Sequence, residues 1–403
     1  MSDYEHLTVD SCVEYIRSTS ELRDLVDVDA ISTIEEVGDG NLNLVFIVKD
    51  VNGQGVVLKQ ALPYVRLVGP EWPMTPDRAR LEAEAMEAHS TLAPSAVPVL
   101  HHFNPERFII AMEDLSDHVV WRTALNEGRT DEGVAAALGD YVARIAFGTS
   151  IFFVDPEQQK RDMARAINPE LCTITEDLVF TEPWVDAGRN SVLPDNDADV
   201  AAIASDDFMV SSMGLAKWIF MTHAEALIHG DLHSGSVMIK GDSSGNLASA
   251  RAIDSEFAFF GPVAFDLGVL WANYFIAAAR AHALGEDDRA RWCLDLSGQT
   301  WEAFEGRLRT LWPERRDPRV FTDAFLETLI DRWRSQCWLF AAAEMTRRVI
   351  GLAKTSDIES LDPQIRVGAA RNVLQMAQGT VRARESDTSS AAFAALGRDQ
   401  LGL

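Results

Sequence analysis

Cysteine is scarce in this 403-residue chain, and its placement excludes two kinds of structural site. The four cysteines lie far apart and form no Cys-x-x-Cys pair: Cys12, Cys172, Cys293 and Cys337. Secreted domains that depend on disulfides carry denser cysteine patterns, and structural zinc sites use closely spaced ligand pairs. We therefore expect reduced thiols and an intracellular protein.

Long apolar runs are also missing. A run such as Val263 to Ala279 contains Asp266 and Asn273, so it is too short and too polar to span a bilayer. The amino-terminal residues 1–6 are acidic and have no apolar core, which predicts that there is no signal peptide. These features together predict a cytoplasmic protein with no membrane segment.

Basic residues are in short supply, with 36 Lys and Arg against 62 Asp and Glu, a formal net charge of −26. Nucleic acids and anionic membranes are themselves negative, so the charge argues against both as partners. A ligand with phosphate groups would need local cations or a metal ion to hold it. The length exceeds what one hydrophobic core usually supports, which predicts two lobes.

The most informative stretch runs from Leu227 to Ser236, Leu-Ile-His-Gly-Asp-Leu-His-Ser-Gly-Ser. It is typical of a short apolar strand that ends in a polar turn, and the acidic turn Asp254-Ser255-Glu256 follows a second strand-like segment. Phosphoryl transfer needs one carboxylate to accept the proton of the attacking hydroxyl and others to bind metal ions. Asp231 fits the first role, and Asp254 and Glu256 fit the second. His-Gly-Asp alone could be a simple polar turn, but the second turn, at a spacing similar to that of protein kinases, favours catalysis.

The first part of the chain alternates like a small antiparallel sheet. We predict strands over residues 32–37, 43–48 and 55–59, with turns at Gly38–Asn41 and Asn52-Gly53. The Gly38–Asn41 turn alone would be no more than a hairpin, but Lys59 follows one hairpin later. Together they predict a flap that covers a nucleotide, with an amine that binds its phosphates.

The following segment completes the predicted nucleotide site. Residues 60–76 are rich in Pro, Gly and aromatics and predict a lid loop, and residues 77–93 predict a helix. Glu82 or Glu84 on that helix is the candidate partner of Lys59. Two more strands, near Phe103 and over residues 108–112, lead to residues 113–115, where we expect a hinge whose backbone faces an adenine edge.

The chain from about residue 116 is mainly helical by its periodicity. The predicted helices cover residues 131–149, 157–166, 208–227, 263–283, 298–312 and 319–353. Residues 183–207 predict an acidic loop. The only strand-like pieces are residues 236–240 and 248–253, which form a hairpin between the loop that carries Asp231 and the acidic turn. We therefore predict an α+β protein with a small antiparallel-sheet lobe, residues 1–114, and a larger helical lobe, residues 115–403.

Nine stretches spread over nearly the whole chain resemble the S-methyl-5-thioribose kinase family, in the family's order. They are residues 37–43, 59–64, 71–75, 77–80, 112–116, 168–172, 229–236, 256–262 and 347–353. The resemblance implies a bilobal protein-kinase-like fold, dependence on ATP and Mg²⁺, a homodimer and a place in methionine salvage. It also implies the reaction, which transfers phosphate from ATP to the anomeric hydroxyl of S-methyl-5-thioribose to give S-methyl-5-thioribose 1-phosphate.

One position distinguishes this family from its relatives. Protein kinases and aminoglycoside phosphotransferases have a metal-binding asparagine five residues after the catalytic aspartate, where this chain has Ser236, as methylthioribose kinases do. Glu256 would supply the oxygen ligand that the serine does not, since Mg²⁺ prefers carboxylate oxygen. The family usually has proline between the two acids of the metal turn, and Ser255 stands there in this chain.

The resemblance also implies roles for the residues that bind ATP. These residues are Glu113, Asp114 and Leu115 at the adenine, Asn43 and Lys59 at the phosphates, and Asp254, Ser255 and Glu256 in the metal turn. Mg²⁺ would be held by Asp254 and Glu256.

The sequence says less about the residues that contact the substrate. Arg347 and Arg348 alone would be taken as charge partners of a helix end, but the resemblance implies that at least one contacts the substrate or the transferring phosphoryl group. Trp72 is either lid packing or a wall for the methylthio group. His229 and His233 are interpreted as residues that orient the loop around Asp231.

Three other interpretations stay open. A kinase of the same fold could act on an aminoglycoside or another alcohol, although Ser236 and the Trp72 loop argue against it. A nucleotide-binding scaffold without catalysis is disfavoured because Lys59, Asp231 and the metal turn occur together. A kinase of another 5-substituted ribose, such as 5-deoxyribose, is compatible with the sequence.

Overall fold

The computed structural model describes residues 4–38, 42–66, 68–185, 187–242 and 246–403. Five antiparallel strands form the first sheet: β1 Ile31–Glu36, β2 Asn43–Asp50, β3 Gly55–Ala61, β4 Leu100–Asn104 and β5 Ile109–Glu113. Their order across the sheet is β1-β2-β3-β5-β4. All the predicted strands of this region are present. Residues 39–41 of the predicted flap turn lie outside the described residues, so that turn stays a prediction.

The alternation of β3 sends its side chains to two faces that pack against two different helices. Val56 and Leu58 pack in one apolar cluster with helix α1, Val9–Ser18, whose N-cap residue Thr8 accepts a hydrogen bond from the Ser11 N–H at 3.2 Å. Lys59 and Ala61 face the other way, towards helix α2, Arg78–Leu92. Because α2 is rich in Ala, Leu, Glu and Met, it forms the helix predicted from its composition.

The rest of the chain is mainly helical. The helices are α3 Trp121–Asn126, α4 Val134–Gly148, α5 Pro156–Arg165, α6 Pro169–Leu178, α7 Asp197–Ala204, α8 Asp207–Thr222, α9 Val263–Ala283, α10 Asp287–Leu311, α11 Asp323–Ile350, α12 Ser356–Glu359, α13 Pro363–Ala383 and α14 Ser390–Leu401. Helix α9 is buried along nearly its whole length because α10, α11 and α13 pack around it. Among the described residues, no helix is both long enough and apolar enough to cross a membrane.

Short strands position the loops of the second half. The predicted hairpin is present as β8 Val237–Gly241 and β9 Leu247–Ala252; residues 243–245 of its turn lie outside the described residues. The further strands are β6 Val119–Val120, β7 Ala226–Ile228 and β10 Phe259–Gly261, with β6 paired to β8 and β7 paired to β10. Strand β7 is the short apolar strand predicted before His229. The prediction of no strands in this half beyond β7 and the hairpin was wrong, because β6 and β10 are too short for their periodicity to be detected.

Two other predictions for this half need correction. Residues 183–207 are not only a loop, since they include α7, and α8 ends at Thr222 rather than continuing to residue 227. The α+β class itself is confirmed: the antiparallel sheet comes first, and a mainly helical part follows.

Candidate active site

Lys59 lies at the meeting point of the sheet, α2 and the acidic turn. Its ammonium donates to Glu82 Oε1 at 2.8 Å and forms an ion pair with Asp254 Oδ1. Burial alone would lower the pKa of Lys59, but the charges of Asp254, Glu82 and Glu256 outweigh it, and the pKa lies above its ordinary value. Lys59 therefore stays protonated and available to anionic oxygens.

Of the two acids that the sequence offered as the partner of Lys59, the geometry selects Glu82. Glu82 is buried, and its helix places it directly against the ammonium. Glu84 lies nearer the surface, where it pairs with Arg80 at 3.2 Å and Arg165 at 2.9 Å. Glu82, and not Glu84, is therefore the partner of Lys59.

Arg78, at the start of α2, is fully buried and connects the flap, the lid and the acidic turn. Its Nε donates to Glu256 Oε2 at 3.1 Å, and one Nη2 hydrogen bond reaches Asn43 Oδ1 at 3.0 Å. Its other three N–H groups donate to the carbonyl oxygens of Leu42, Leu62 and Thr75 at 2.7–2.9 Å. Asn43 in turn donates to Glu256 Oε2 at 3.0 Å. All five N–H donors of the Arg78 guanidinium are therefore used to hold the flap, the lid and the acidic turn together.

The acidic turn has an unusual backbone. Asp254 has φ 67° and ψ 46°, a left-handed conformation that aspartate tolerates better than most residues and that turns its half-exposed carboxylate into the cleft. Ser255 and Glu256 follow as a buried 3₁₀ turn. Asn168 fixes the turn from outside by donating to the carbonyl oxygens of Glu256 at 2.8 Å and Ala258 at 3.2 Å.

Three carboxylates in this region are close enough to share a cation. One oxygen each of Glu82, Asp254 and Glu256 lies within 4.8 Å of the others. Burial raises the pKa of Glu82 and of Glu256, whereas the Lys59 ammonium holds the pKa of Asp254 below its ordinary value despite desolvation. Three acids face the two cations Lys59 and Arg78, so a divalent cation with a preference for oxygen ligands fits this donor set.

The predicted catalytic loop, residues 229–236, is anchored by a buried acid on α9. The carboxylate of Asp266 accepts hydrogen bonds from the backbone N–H of His229 at 2.8 Å and of Gly230 at 3.0 Å. Gly230 has φ +83°, and a Cβ there would lie 2.3 Å from the carbonyl oxygen of Phe257, so the loop can approach the acidic turn only with glycine. His229 Nε2 bonds to the Ile253 carbonyl oxygen at 2.9 Å, which links the loop to the residue before Asp254.

Asp231 is held by three cationic or polar side chains. Arg347 Nη2 donates to Asp231 Oδ1 at 3.1 Å, Arg348 Nη2 lies 3.9 Å from the same oxygen, and His233 Nε2 lies 3.4 Å from Oδ2. Burial opposes ionisation, but His233, Arg347 and Arg348 outweigh it and hold the pKa of Asp231 well below its ordinary value. Asp231 is therefore an ionised hydrogen-bond acceptor at neutral pH.

Glu344 explains how two adjacent arginines are accommodated in the interior. It is fully buried one turn before them on α11, and it accepts hydrogen bonds from the Nε of Arg347 and, at 2.7 Å, of Arg348. Although burial opposes it, the two guanidinium groups lower the pKa of Glu344 to about 2. Within the described part of the chain, Arg348 Nη2 is a buried donor with no hydrogen-bond partner, so it can take up an additional oxygen.

His233 and Ser236 extend the loop beyond Asp231. His233 Nδ1 lies 3.2 Å from Ser236 Oγ, and burial lowers the pKa of His233 to about 4, so the ring is neutral at pH 7. Arg122, from α3, donates to Ser234 Oγ at 3.3 Å and pairs with Asp357 at 3.1 Å. The loop is thus fixed along its whole length by side chains from distant segments.

The predicted hinge follows β5. Glu113 ends the strand, and its Oε2 accepts a hydrogen bond from the Val99 N–H at 3.0 Å. Asp114 pairs with Lys49 at 3.2 Å, and Leu115 is buried. These three residues lie between the sheet and the helical part, and their role at an adenine stays a prediction.

Trp72 lies in the lid loop and is half-buried. The Arg189 guanidinium lies over its ring, 5.1 Å from the ring centroid, and both residues line a pocket of about 310 Å³ with Pro169 and Ile174 of α6. Trp72 also joins an apolar cluster with Val65. The contacts are compatible with lid packing and with an apolar wall, so the two interpretations of this residue remain.

Several site residues were not found by sequence reasoning. They are Arg78, Asn168, Asp266 and Glu344, whose partners lie far away in the chain or face the interior of a helix. A signal existed for Asp266, since a single acid in an otherwise apolar helix is rarely buried without hydrogen-bond donors.

The chain is similar in sequence to a known protein family and to individual known proteins. The model of the phosphotransferase enzyme family matches residues 33–307. A methylthioribose kinase from Cronobacter sakazakii is 38% identical over 389 residues, which covers 94% of this chain and 95% of that protein. A methylthioribose kinase from Yersinia enterocolitica is 38% identical over 395 residues, which covers 95% and 96%.

A solved glucosamine kinase in complex with glucosamine, ADP and inorganic phosphate aligns with 92% of this chain and 86% of its own, at 15% identity and a TM-score of 0.48. Similarity of that degree supports no inference about activity. The family model and the 38% identical relatives confirm the resemblance found in the sequence and the protein-kinase-like fold that it implied. The chain belongs to the phosphotransferase enzyme family and, within it, to the methylthioribose kinases.

Proposed function

We propose that this kinase transfers the γ-phosphoryl group of ATP to the anomeric hydroxyl of S-methyl-5-thioribose and releases S-methyl-5-thioribose 1-phosphate and ADP. The observation that carries the proposal is the identity of 38% with methylthioribose kinases over nearly the full length. The conjunction of Lys59, Asp231 and the acidic turn in one region supports it. The product would enter methionine salvage.

Asp231 is proposed to orient the sugar and accept its proton. The anomeric oxygen attacks the γ-phosphorus, the new O–P bond forms, the bond to the bridging oxygen of ADP breaks, and the hydroxyl proton passes to a carboxylate oxygen of Asp231. The contacts with Arg347 and His233 favour the ionised carboxylate, so Asp231 acts mainly by orienting the hydroxyl and taking the proton late in the transfer.

The acidic turn is proposed to hold Mg²⁺ on the triphosphate. Asp254 presents its carboxylate to the cleft, and Glu256 has one oxygen engaged by Arg78 and Asn43, which leaves the other for a metal ligand. When bound, the ion would neutralise phosphate charge and polarise the transferring group. Lys59 and Asn43 would position the phosphates, and Ser255 would contribute to the same ATP-binding turn.

The two arginines are proposed to act on the substrate side. Arg347 fixes Asp231, and the unsatisfied Nη2 of Arg348 is available to a substrate hydroxyl or a phosphoryl oxygen. Trp72 would close the site over the sugar. Glu113, Asp114 and Leu115 would bind the adenine between lobes that comprise residues 1–114 and 115–403.

The remaining proposals concern the protein's surroundings. We propose a cytoplasmic enzyme with small-molecule partners only and with no nucleic acid or membrane partner, in keeping with its charge of −26. We also propose a homodimer. Exposed apolar side chains along α8, Leu215, Trp218 and Met221, offer an uncharged contact surface, and Trp218→Glu followed by analytical ultracentrifugation would test it.

The decisive experiment is a side-by-side assay of ADP formation with methylthioribose, ribose and kanamycin, with and without Mg²⁺. We expect turnover with methylthioribose, a ³¹P NMR signal of a glycosyl phosphate in the product, and loss of turnover in EDTA that Mg²⁺ restores. Turnover with kanamycin but not with methylthioribose would contradict the proposal. A competition assay between methylthioribose and 5-deoxyribose would then separate the remaining alternative, a kinase of another 5-substituted ribose.

A further inference from the structure

A polar stripe runs along one side of α2 and reaches beyond the residues already described. Arg78, Glu82 and His89 lie four and seven residues apart, so they share one face of the helix. Arg78 bonds to the acidic turn and Glu82 bonds to Lys59. His89, two turns after Glu82 and about 10 Å along the helix axis, is fully buried as well.

His89 bonds to the strand that enters the catalytic loop. Its Nε2 lies 2.9 Å from the carbonyl oxygen of Leu227, in β7, and its Nδ1 lies 2.9 Å from the hydroxyl of Tyr141, in α4. A carbonyl oxygen can only accept, so Nε2 carries the proton and donates to Leu227, and Nδ1 accepts from the Tyr141 hydroxyl. Burial lowers the pKa of His89 to about 4, which agrees with this neutral form.

The backbone that leads into the catalytic loop depends on side chains for its hydrogen bonds. Leu227 accepts from His89, and its N–H donates to Thr149 Oγ1 at 2.8 Å. Two residues later the N–H groups of His229 and Gly230 donate to Asp266. His89 is the member of this set that comes from α2, the helix that also carries Glu82.

We infer that His89 is a positioning residue for phosphoryl transfer. By bonding the last turns of α2 to Leu227, it fixes the helix that holds the Lys59–Glu82 pair relative to the loop that holds Asp231. A neutral imidazole thereby helps to position the two halves of the reaction centre, the amine that binds phosphate and the carboxylate that accepts the proton, relative to each other.

The two hydrogen bonds of the His89 ring can be removed separately, because its two nitrogens have different partners. In His89→Gln the amide nitrogen reaches the position of Nε2 and keeps a donor for Leu227, whereas in His89→Asn the amide oxygen reaches that of Nδ1 and keeps only the Tyr141 bond. Tyr141→Phe removes the same hydroxyl bond from the other side. Ser90→Ala is the matched control, because among the described residues Ser90 Oγ bonds only within its own helix, to the Glu87 carbonyl oxygen at 2.9 Å.

The experiment measures kcat, the KM for ATP and the KM for the sugar, with the sugar that the wild type phosphorylates. This inference rests on the proposed phosphoryl transfer, but the two fail separately: absent transfer by the wild type would contradict the function, whereas only the variants bear on His89. We expect His89→Asn to lose about tenfold or more in kcat with the sugar KM within about twofold, because small misplacements of reacting groups are costly. His89→Gln, Tyr141→Phe and Ser90→Ala should keep kcat within about twofold.

A histidine that only fills the core gives a different pattern. His89→Asn and His89→Gln each lose one hydrogen bond, so their kcat values would fall together, or neither would fall, and either result would overturn the inference. If His89→Asn does not fold, His89→Gln and Tyr141→Phe still decide, since both retain the Leu227 bond. A tenfold loss of kcat in either of these two folded variants contradicts the inference. Retention in both supports it when His89→Met, which is close to glutamine in size but has no donor for Leu227, loses about tenfold, and retention in all three overturns it.

Discussion

Arg347 Nη2 donates a hydrogen bond to Asp231 Oδ1 at 3.1 Å, and the same guanidinium donates through Nε to Glu344. The carboxylate proposed to accept the sugar's proton is thus bound to a cation that is itself held by a second, fully buried carboxylate. The arrangement keeps Asp231 ionised and fixes its orientation. It also means that the geometry of the reaction centre depends on Glu344, which contacts neither proposed substrate.

The Glu344→Gln variant tests that dependence. A neutral amide removes the buried carboxylate that Arg347 and Arg348 share and leaves Asp231 as their remaining acidic neighbour. Breaking a buried ion pair from one side costs about 3–5 kcal/mol. We expect a free energy of unfolding lower by about that amount in urea denaturation, and a kcat at least about tenfold lower. Glu327→Gln is the control, because Glu327 lies on the same helix in an exposed pair with Arg309 and should change both quantities little. Equal effects of the two substitutions would contradict the role given to Glu344.

The role of Glu82, the buried partner of Lys59, can be tested with a matched pair of variants on α2. Glu82→Gln removes one of the two acids that hold the Lys59 ammonium, so we expect the KM for ATP to rise and kcat to fall, together about tenfold or more in kcat/KM. Glu84→Gln, two residues along the same helix, removes only partly exposed pairs with Arg80 and Arg165. It should leave kcat/KM within about twofold, and steady-state kinetics with varied ATP would show whether the two variants differ.

Arg78 has a comparable internal control in Arg80. Arg78→Met leaves Glu256, Asn43 and three carbonyl oxygens without their donors. We expect it to lower the free energy of unfolding by about 3–5 kcal/mol and to weaken Mg²⁺-dependent nucleotide binding, measured by titration calorimetry. Arg80→Met, which loses partly exposed contacts, should cost less than about 1 kcal/mol. Unchanged nucleotide binding in a folded Arg78→Met variant would separate Arg78 from the ATP site.

The buried histidine on α2 predicts a dependence of stability on pH. The pKa of His89 is about 4 in the folded protein and about 6.5 in an unfolded chain, so the unfolded state binds more protons between those values. The contribution of the neutral imidazole to stability is fully present above pH 6.5 and is lost as the pH falls towards 4. From pH 7 to pH 5 the loss amounts to about 2 kcal/mol.

Glutamine does not titrate, so the comparison with His89→Gln isolates this contribution. The free energy of unfolding of the wild type minus that of His89→Gln should decrease by about 2 kcal/mol between pH 7 and pH 5. Urea denaturation at both pH values measures it. A difference that stays constant would show that His89 is not held neutral in the folded protein.

The sequence was most informative where a residue type and its spacing carry chemistry by themselves. Lys59 and the acids at positions 231, 254 and 256 could be predicted without coordinates, because Lys59 lies in the second strand of a predicted hairpin and each acid comes shortly after a strand. The antiparallel sheet was equally readable, since alternation over strands of five or more residues is a strong signal. The strands β6 and β10 were not, since two or three residues have no period, whereas the apolar residues before His229 did predict β7.

The residues that hold the site together were harder to find, for a physical reason. Arg78 meets Glu256 across 178 residues of sequence, and Asp266 meets the loop from inside an apolar helix. Such pairs leave no local pattern, because the interaction is created by tertiary packing alone. The sequence could not show whether Glu82 or Glu84 pairs with Lys59 for the same reason. Both residues fit the helix, and only the direction of each side chain in the folded protein decides which one meets Lys59.

The proposed role of Asp231 in phosphoryl transfer can be tested with the Asp231→Asn variant. Purified wild-type and Asp231→Asn proteins would be compared in a single-turnover assay of methylthioribose phosphorylation with ATP and Mg²⁺, with exposed Asp207→Asn as the control. We expect Asp231→Asn to bind ATP but to lose about 10²–10⁴-fold in the rate of transfer, while Asp207→Asn keeps the wild-type rate. A folded Asp231→Asn protein that transfers phosphate within about twofold of the wild-type rate would contradict this role.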